Sequence, residues 1–477
     1  MLQHKDINKL SELKNGFTQS WVEPDFIYRS LKCFSFSKLN KGLCLLKTKG
    51  YGFDWVLSIL ISLPFVGITT VNRLTGLVEA KKDVFYRIKN NSSISWRYIL
   101  WLFACKFIKI TTKDVGNSPC PKCLIFDDTT LQKAGKYIEK VSCVWDHIQK
   151  RGFLGFKLLV MGYWDGTSFL PLDFSIHRES GKNKDRPFGL RKKDHRKQFK
   201  KRRTRCTHGY DRCKEADQSK IESMIKMFGR AISYRIKIDY VLIDSWFTCE
   251  AIIDAVAQVK KQTVHLIGMY KIARTYFEYN GNKLTYSQIR NRLAKPKRCR
   301  KLRLYYLQAR VQYKGHQLNL FFTRQGKNGK WKVLLTTDIS LSFIKMVEIY
   351  QTRWTIEVFF KESKQLLRMG SCQSNDFDAQ IADTTITMLQ HLLLTLRYRY
   401  GTYESTGALF EQVKETTAML KLNERLWGLF VEILQILECL FEVEDEMTIL
   451  ERIINNDHAL TQIKKLFELG VEMDNAA

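Results

Sequence analysis

The chain reads as a mixed α/β protein, a large central domain set between helical terminal regions. Its 477 residues, 45% of them apolar, are enough for a sizeable core and two or three domains. Near residue 115 the hydrophobic pattern changes from helical spacing to short apolar runs. Beyond that point strand-like runs alternate with helical ones, which is the pattern of a domain built on a sheet covered by helices.

Residues 1–115 are expected to be helical, because apolar positions recur at helical spacing through 53–77 and again through 96–107. The most apolar stretch, 56–66, is interrupted by Ser58, Ser62 and Pro64; it is too short to span a bilayer and reads as a buried helix. NSPCP at 117–121 is a turn-rich linker. After it, 123–126 is a short buried-strand candidate that delivers Asp127 and Asp128 at its end. Runs 156–163 and 168–175 form a hairpin through Asp165-Gly166. A helix is predicted over 217–234, a short strand over 240–243 ending at Asp244, a helix over 250–259 and a strand over 263–269. From 276 to 335 the pattern is strand-like again, as in LRLYYLQARVQYK and LNLFFTR, and a long helix follows from about 343 to 367. Without the β-rich insertion, placed at about 270–338, this is the element order of a ribonuclease H-like α/β domain. The predicted organisation is therefore a helical region over 1–115, a catalytic domain over 116–375 and a helical region over 376–477.

The formal charge is +30, from 78 Lys and Arg against 48 Asp and Glu. Residues 431–477 hold eleven acids and three bases, so the positive excess is concentrated in the rest of the chain. Such a field favours a polyanion, and nucleic acid is the natural partner. Ribosomal proteins and histones share the charge but are short and poor in aromatics; 12% aromatic residues suit a folded enzyme better. The polar start, MLQHKDINKL, lacks the apolar core of a signal peptide, which predicts a soluble cytoplasmic protein and no membrane partner. Twelve cysteines show no secreted disulfide pattern, and reduced thiols are the default. Cys120, Cys123, Cys206, His208 and Cys213 could supply four zinc ligands, but their spacing is irregular.

Metal-dependent phosphoryl transfer needs carboxylates from separate elements that converge on one point, since hard divalent cations prefer oxygen ligands. Asp128 and Asp244 both follow buried-strand candidates, and parallel neighbouring strands would set their carboxylates side by side. A lone aspartate at a strand end is more often a turn or helix cap. The third piece is more specific. In EIYQTRWTIEVFFKESKQLL, Tyr350, Arg353, Glu357 and Lys364 stand at relative positions 0, 3, 7 and 14. On a helix these fall within an arc of about 60°, giving one face an acid, two bases and a phenol. A solvated face with salt bridges is the plain reading, yet Trp354, Ile356, Val358, Phe359 and Phe360 predict a largely buried helix, where charges need partners or a metal.

At these residues the chain resembles the insertion-sequence DDE transposases with the Tyr-Arg-Glu-Lys (YREK) signature, the "insertion sequence four" family. The resemblance extends through LIFDDTTL, VWDHIQKRGFLGFKLLVMGYWDGTSFLPLDFS and YVLIDSWF, and reaches KKDVFYRIKNNSSISWRYIL. It implies Asp128, Asp244 and Glu357 as catalytic, metal-binding residues for two Mg²⁺ (or Mn²⁺) ions. It implies DNA contacts from Tyr350, Arg353 and Lys364, with Trp331 of the β-rich insertion near a flipped base. The 113 positions from Asp244 to Glu357 leave room for that insertion. Asp127 adjoins Asp128 and would point to the opposite side of a strand; the family pattern, an aspartate directly before Thr or Ser, favours Asp128.

The implied activity is cut-and-paste transposition, with end nicking, hairpin formation and strand transfer. The implied partners are double-stranded DNA (terminal inverted repeats and target) and a second copy of the chain in a homodimer, at the bacterial nucleoid. The N-terminal region would bind DNA or dimerise. Two basic runs fit this: residues 191–205 hold ten Lys or Arg in fifteen positions and 292–303 hold seven in twelve, suited to sequence-independent phosphate contact. A ribonuclease H-like nuclease without strand transfer would share the carboxylates but has no need of the Tyr-Arg-Glu-Lys face. A catalytically dead DNA-binding derivative would not be expected to keep all three.

Overall fold

The computed structural model describes residues 50–415, apart from 75–77, 79, 115–119, 147–148, 182 and 272–274, with isolated positions at 31, 34, 452, 455, 456 and 458. The helices expected within 1–49 and beyond 415 therefore lie outside the described residues. The chain forms two compact units, one of Met1–Asn40, Leu46–Phe85 and Thr402–Ala477, the other of Lys41–Leu45 and Tyr86–Gly401.

In the first unit, helix α1 (Phe53–Ser62) buries Val56, Leu57, Ile59, Leu60 and Ile61. Its serines are satisfied locally: the Ser58 hydroxyl donates to the Trp55 carbonyl and the Ser62 hydroxyl to that of Ser58. Among the described residues no helix is long and apolar enough to cross a membrane. Helix α2 (Lys82–Lys89) carries the chain across the division between the units.

In the second unit α3 (Trp96–Asp114) precedes a sheet that opens on β1 (Cys123–Gln132), β2 (Ser142–Asp146), β3 (Arg151–Trp164) and β4 (Phe169–His177). Two short helices, α4 (Lys192–Arg196) and α5 (His208–Glu215), precede α6 (Lys220–Ser233), whose N-cap Ser219 accepts from the Ile221 amide. Then come β5 (Tyr240–Ile243), α7 (Glu250–Ala257) and β6 (His265–Tyr270). The insertion consists of β7 (Tyr276–Tyr279), β8 (Asn282–Thr285), α8 (Tyr286–Arg292), β9 (Lys297–Cys299), β10 (Leu304–Tyr313), β11 (His316–Gln325) and β12 (Lys332–Thr336). Helices α9 (Phe343–Gln351), α10 (Trp354–Gln365) and α11 (Phe377–Arg399) complete it.

Among the described residues twelve strands join one sheet, in the order β2-β3-β1-β5-β6-β12-β11-β10-β7-β8, with β4 paired to β3 and β9 to β10. The strands β1, β5 and β6 run parallel, while β3, β4 and the insertion strands are antiparallel to their neighbours. The insertion thus extends the central sheet from the edge of β6. The β3–β4 hairpin turns at Asp165, whose carboxylate accepts from the amides of Thr167 and Ser168, and at Gly166, which holds φ 99°.

Two elements differ from expectation. Strand β1 does not stop at residue 126: it continues to Gln132 as the partner of β3, so both aspartates lie within a strand. The long helix predicted over 343–367 is two helices. At the junction the amides of Thr352, Arg353, Thr355 and Ile356 bond to the carbonyls three residues back, a tight 3₁₀ turn. The Thr352 and Thr355 hydroxyls also take the carbonyls of Ile349 and Thr352, in competition with the helical ladder.

Candidate active site

The pairing of β1 with β5 fixes the first carboxylates. The strands are parallel and in register from Cys123 opposite Tyr240 to Phe126 opposite Ile243. One further step sets Asp127 level with Asp244, on the same side of the sheet, because side chains alternate along each strand. Asp128 must then face the other side.

Side-chain contacts follow this alternation. Asp127 accepts from Arg353 Nη1 at 2.9 Å, and Thr129, two residues on, accepts from Lys364 Nζ at 2.6 Å. Helix α10, which carries Lys364 and begins directly after Arg353, therefore covers the Asp127 face. On the opposite face Asp128 pairs with Lys220 at the start of α6, and Thr130 accepts from Lys157 at 3.1 Å. The expectation sets Asp128 with Asp244 and Glu357; the structure places Asp127, not Asp128, on the face of Asp244 and in contact with the Arg353 that also holds Glu357. The sequence puts the two aspartates on opposite sides of the strand, and the family pattern alone favours Asp128; the register of β1 against β5 shows which side faces Asp244.

Arg353 organises the site. Its second terminal nitrogen reaches Glu357 Oε1 at 2.5 Å, so one guanidinium spans Asp127 and Glu357. The Tyr350 hydroxyl donates to the Ile243 carbonyl at 3.2 Å, beside Asp244, and the Arg353 guanidinium lies 5.9 Å from the Tyr350 ring centre. After Asp244, the Thr248 hydroxyl donates to the Asp244 and Met269 carbonyls and pins the turn to β6. Gly268, opposite Ile243, leaves the room: a Cβ there would stand 2.6 Å from the Thr248 hydroxyl oxygen.

Burial pushes the Asp127 carboxyl up to about 7, against the lowering effect of Arg353, and the neighbouring charges of Asp128 and Asp244 push it further. Burial likewise drives the Tyr350 phenol up to about 12 and lowers the Lys364 ammonium, which stands near Lys157. Burial opposes the charge on Arg353, but Tyr350, Asp127 and Glu357 raise its pKa overall.

The packing of α10 holds this geometry. Ile356, Phe359, Phe360 and Ser363 are buried, with the Phe359 ring 5.3 Å from Phe169 on β4 and 4.8 Å from His391 on α11. Trp354 and Val358 are exposed (63% and 39%), so the helix is less buried than its apolar residues predict. Trp331, just before β12, carries the guanidinium of Arg324 4.6 Å from its ring centre and that of Arg290 at 5.9 Å. It belongs to the insertion and has no contact with the carboxylates.

Among the described residues no three of His, Cys, Asp and Glu stand close enough together to hold a metal ion as they are. For Asp127 and Glu357 the cause is the guanidinium of Arg353 between them. For the cysteines it is placement, since Cys123 is enclosed in β1 while Cys206 is exposed. In chemistry the carboxylates suit a hard divalent cation: they are all-oxygen donors, and Asp127, raised mainly by burial and further by Asp128 and Asp244, is a buried carboxyl whose charged form a cation would favour.

Residues 202–393 match the transposase DDE domain family. The match spans Asp244, Glu357 and the whole insertion, and begins beyond β1. It supports a DDE transposase, with the mixed α/β fold, DNA binding and use of divalent metals that go with that family. No curated protein matches the chain.

Proposed function

We propose that the protein is a cut-and-paste DNA transposase of the YREK type, built on a ribonuclease H-like domain. The observation that carries this is the convergence of Asp127, Asp244, Tyr350, Arg353 and Glu357, from two parallel strands and two helices, all but Asp127 inside the region that matches the transposase DDE domain. The strand order β4-β3-β1-β5-β6, three antiparallel and then parallel, supports the ribonuclease H-like reading.

Asp127, Asp244 and Glu357 would hold Mg²⁺ or Mn²⁺, which when bound activates the attacking oxygen and stabilises the leaving one. For this Arg353 must release Glu357. A DNA phosphate offers the guanidinium the same bidentate geometry that it now finds on two carboxylates. Lys364 supplies a point charge one helix away, and the Tyr350 hydroxyl can turn from the Ile243 carbonyl to a phosphate oxygen. Trp331, cradled by two arginines, offers a stacking face for a displaced base. Nicking at each element end frees a 3′-hydroxyl, which attacks the opposite strand to give a hairpin that is reopened before joining target DNA. Two ends processed together call for a homodimer, with the N-terminal region reading the terminal repeats and the C-terminal region in protein contact.

The test is cleavage of a labelled duplex carrying the element's terminal repeat, with Mn²⁺ or Mg²⁺, by wild type and Glu357→Ala. Nicks with 3′-hydroxyls and hairpins, both lost in the variant, are expected. Equal activity of the two proteins would overturn the reading.

A further inference from the structure

The basic run at 191–205, between β4 and α6, is not a uniform solvated stretch. Two of its cations are taken up internally. Lys201 pairs with Asp376 and Asp378 at 2.8 and 2.7 Å, and Arg203 pairs with Glu139, Asp376 and Asp378 at 2.6, 3.3 and 3.0 Å. The Phe199 backbone amide donates to the Tyr137 carbonyl at 2.7 Å, and Gln198 Nε2 to the Val141 carbonyl at the same distance. These bonds strap the run onto the 137–141 segment that leaves β1 and onto the N-terminus of α11. The other eight cations are exposed, Arg191, Lys193, Lys197, Lys200, Arg202 and Arg205 among them. Among them Phe199 and the adjoining Tyr137 expose 41% and 45% of their surface.

The strap has a fixed place relative to the site. Helix α10 carries Glu357 near its start and Lys364 near its end, eleven residues or about 16 Å beyond Arg353. The chain then runs through 366–376, where the Gly370 and Cys372 carbonyls accept from Lys133, directly to the α11 terminus that Lys201 and Arg203 grip. The strap is thus anchored where the chain that leaves the Glu357 helix enters α11.

Resting on the reading of Asp127, Asp244 and Glu357 as a DNA-cutting centre, we infer that the strap 191–205 is a second contact surface for the phosphate backbone of the same duplex. It grips DNA several base pairs from the cleaved bond and without regard to sequence. Point charges on phosphates, flanked by exposed aromatic rings, have no means of reading bases in a groove. Pre-ordering of the strap by its buried ion pairs removes the ordering cost that a free basic tail would meet on binding.

The experiment is a salt titration of binding to a fluorescein-labelled 30-bp duplex of arbitrary sequence, read by anisotropy on the full chain. The strap variant is Lys197→Gln/Lys200→Gln/Arg202→Gln; the control is Lys260→Gln/Lys261→Gln, two exposed lysines between α7 and β6. Loss of three phosphate contacts is expected to lower the slope of log K against log[salt] by about 2.7, with no change in the control or in either thermal midpoint. Duplexes shortened separately on the element side and the flanking side of a terminal repeat show which DNA the strap holds. The variant's deficit should vanish on one of them. An unchanged slope, an equal loss per charge in the control, or a deficit toward anionic phosphatidylserine vesicles and not toward DNA would overturn the proposal. Wild type that nicks ends in a Glu357-dependent manner while the strap variant binds normally would overturn the strap alone. Wild type that binds no duplex would overturn the transposase reading beneath it.

Discussion

Replacing Arg203 by Met should cost the second unit about 3 kcal/mol. The Arg203 side chain is 3% exposed, and its three partners, Glu139, Asp376 and Asp378, are 8%, 8% and 3% exposed. Breaking a buried pair by removing one partner costs about 3–5 kcal/mol, because a charge is left uncompensated out of water. Lys201 still neutralises both aspartates, which leaves Glu139 as the group stranded and puts the loss at the lower end of that range. A loss of about 3 kcal/mol corresponds to a fall in Tm of roughly 4–5 °C for a unit of this size. The pH dependence gives a second handle. Arg203 holds the Glu139 carboxyl below its ordinary range, so the pair's contribution is present above the unfolded pKa and is lost as pH falls through the folded one. Wild type and variant should therefore converge on acidification below about pH 4. Thermal unfolding of Arg203→Met and of Arg203→Met/Glu139→Met from pH 8 down to about pH 3 is the assay, and the double variant should recover part of the loss. A shift in the single variant below about 1 kcal/mol at pH 7, the value of a surface pair, would refute the reasoning.

Three further outcomes are expected. Mn²⁺ must displace a proton from Asp127, whose carboxyl titrates near 7, so its apparent affinity should rise with pH and fall about tenfold between pH 8 and pH 6; calorimetric titration checks this, and a flat profile counts against Asp127 as a ligand. His177 and His391 are buried with pKa values pushed down to about 4; they bind protons in the unfolded chain first, so stability should fall as pH drops from about 6.5 to 4, by up to about 3 kcal/mol each, in urea unfolding. Trp331→Ala should slow hairpin formation more than the first nick, by about 10-fold or more if a base stacks on the indole, resolved by following both products in single-turnover kinetics.

Much of the second unit was legible in local pattern. Short apolar runs gave β5 and β6, Asp165-Gly166 gave the β3–β4 hairpin, and the spacing of Tyr350, Arg353, Glu357 and Lys364 led to one site. What escaped was set by partners distant in sequence. The length of β1 depends on β3, because beyond Phe126 the strand is no longer a continuous apolar run. The choice of Asp128 rested on the family pattern, an aspartate directly before Thr or Ser, which carries no information on the register of β1 against β5. The 3₁₀ junction at Thr352–Arg353 arises where threonine hydroxyls take helical carbonyls, a competition that apolar periodicity does not register. The anchoring of Lys201 and Arg203 was invisible for a similar reason, since Glu139 lies some 60 residues before them and Asp376 and Asp378 about 175 after. A charge run alone does not reveal which of its members are already paired.

The most direct test of the site is to compare Asp127→Asn with Asp128→Asn in Mn²⁺-supported nicking of a terminal-repeat duplex, with Tm measured for both. Asp127→Asn should lower the nicking rate by about 10²–10³-fold or more, the equivalent of several kcal/mol of lost transition-state stabilisation. Asp128→Asn, which removes only a part-exposed pair with Lys220, should leave the rate within a few-fold of wild type. The reverse pattern, an active Asp127→Asn protein and an inactive Asp128→Asn protein with unchanged Tm, would contradict the account.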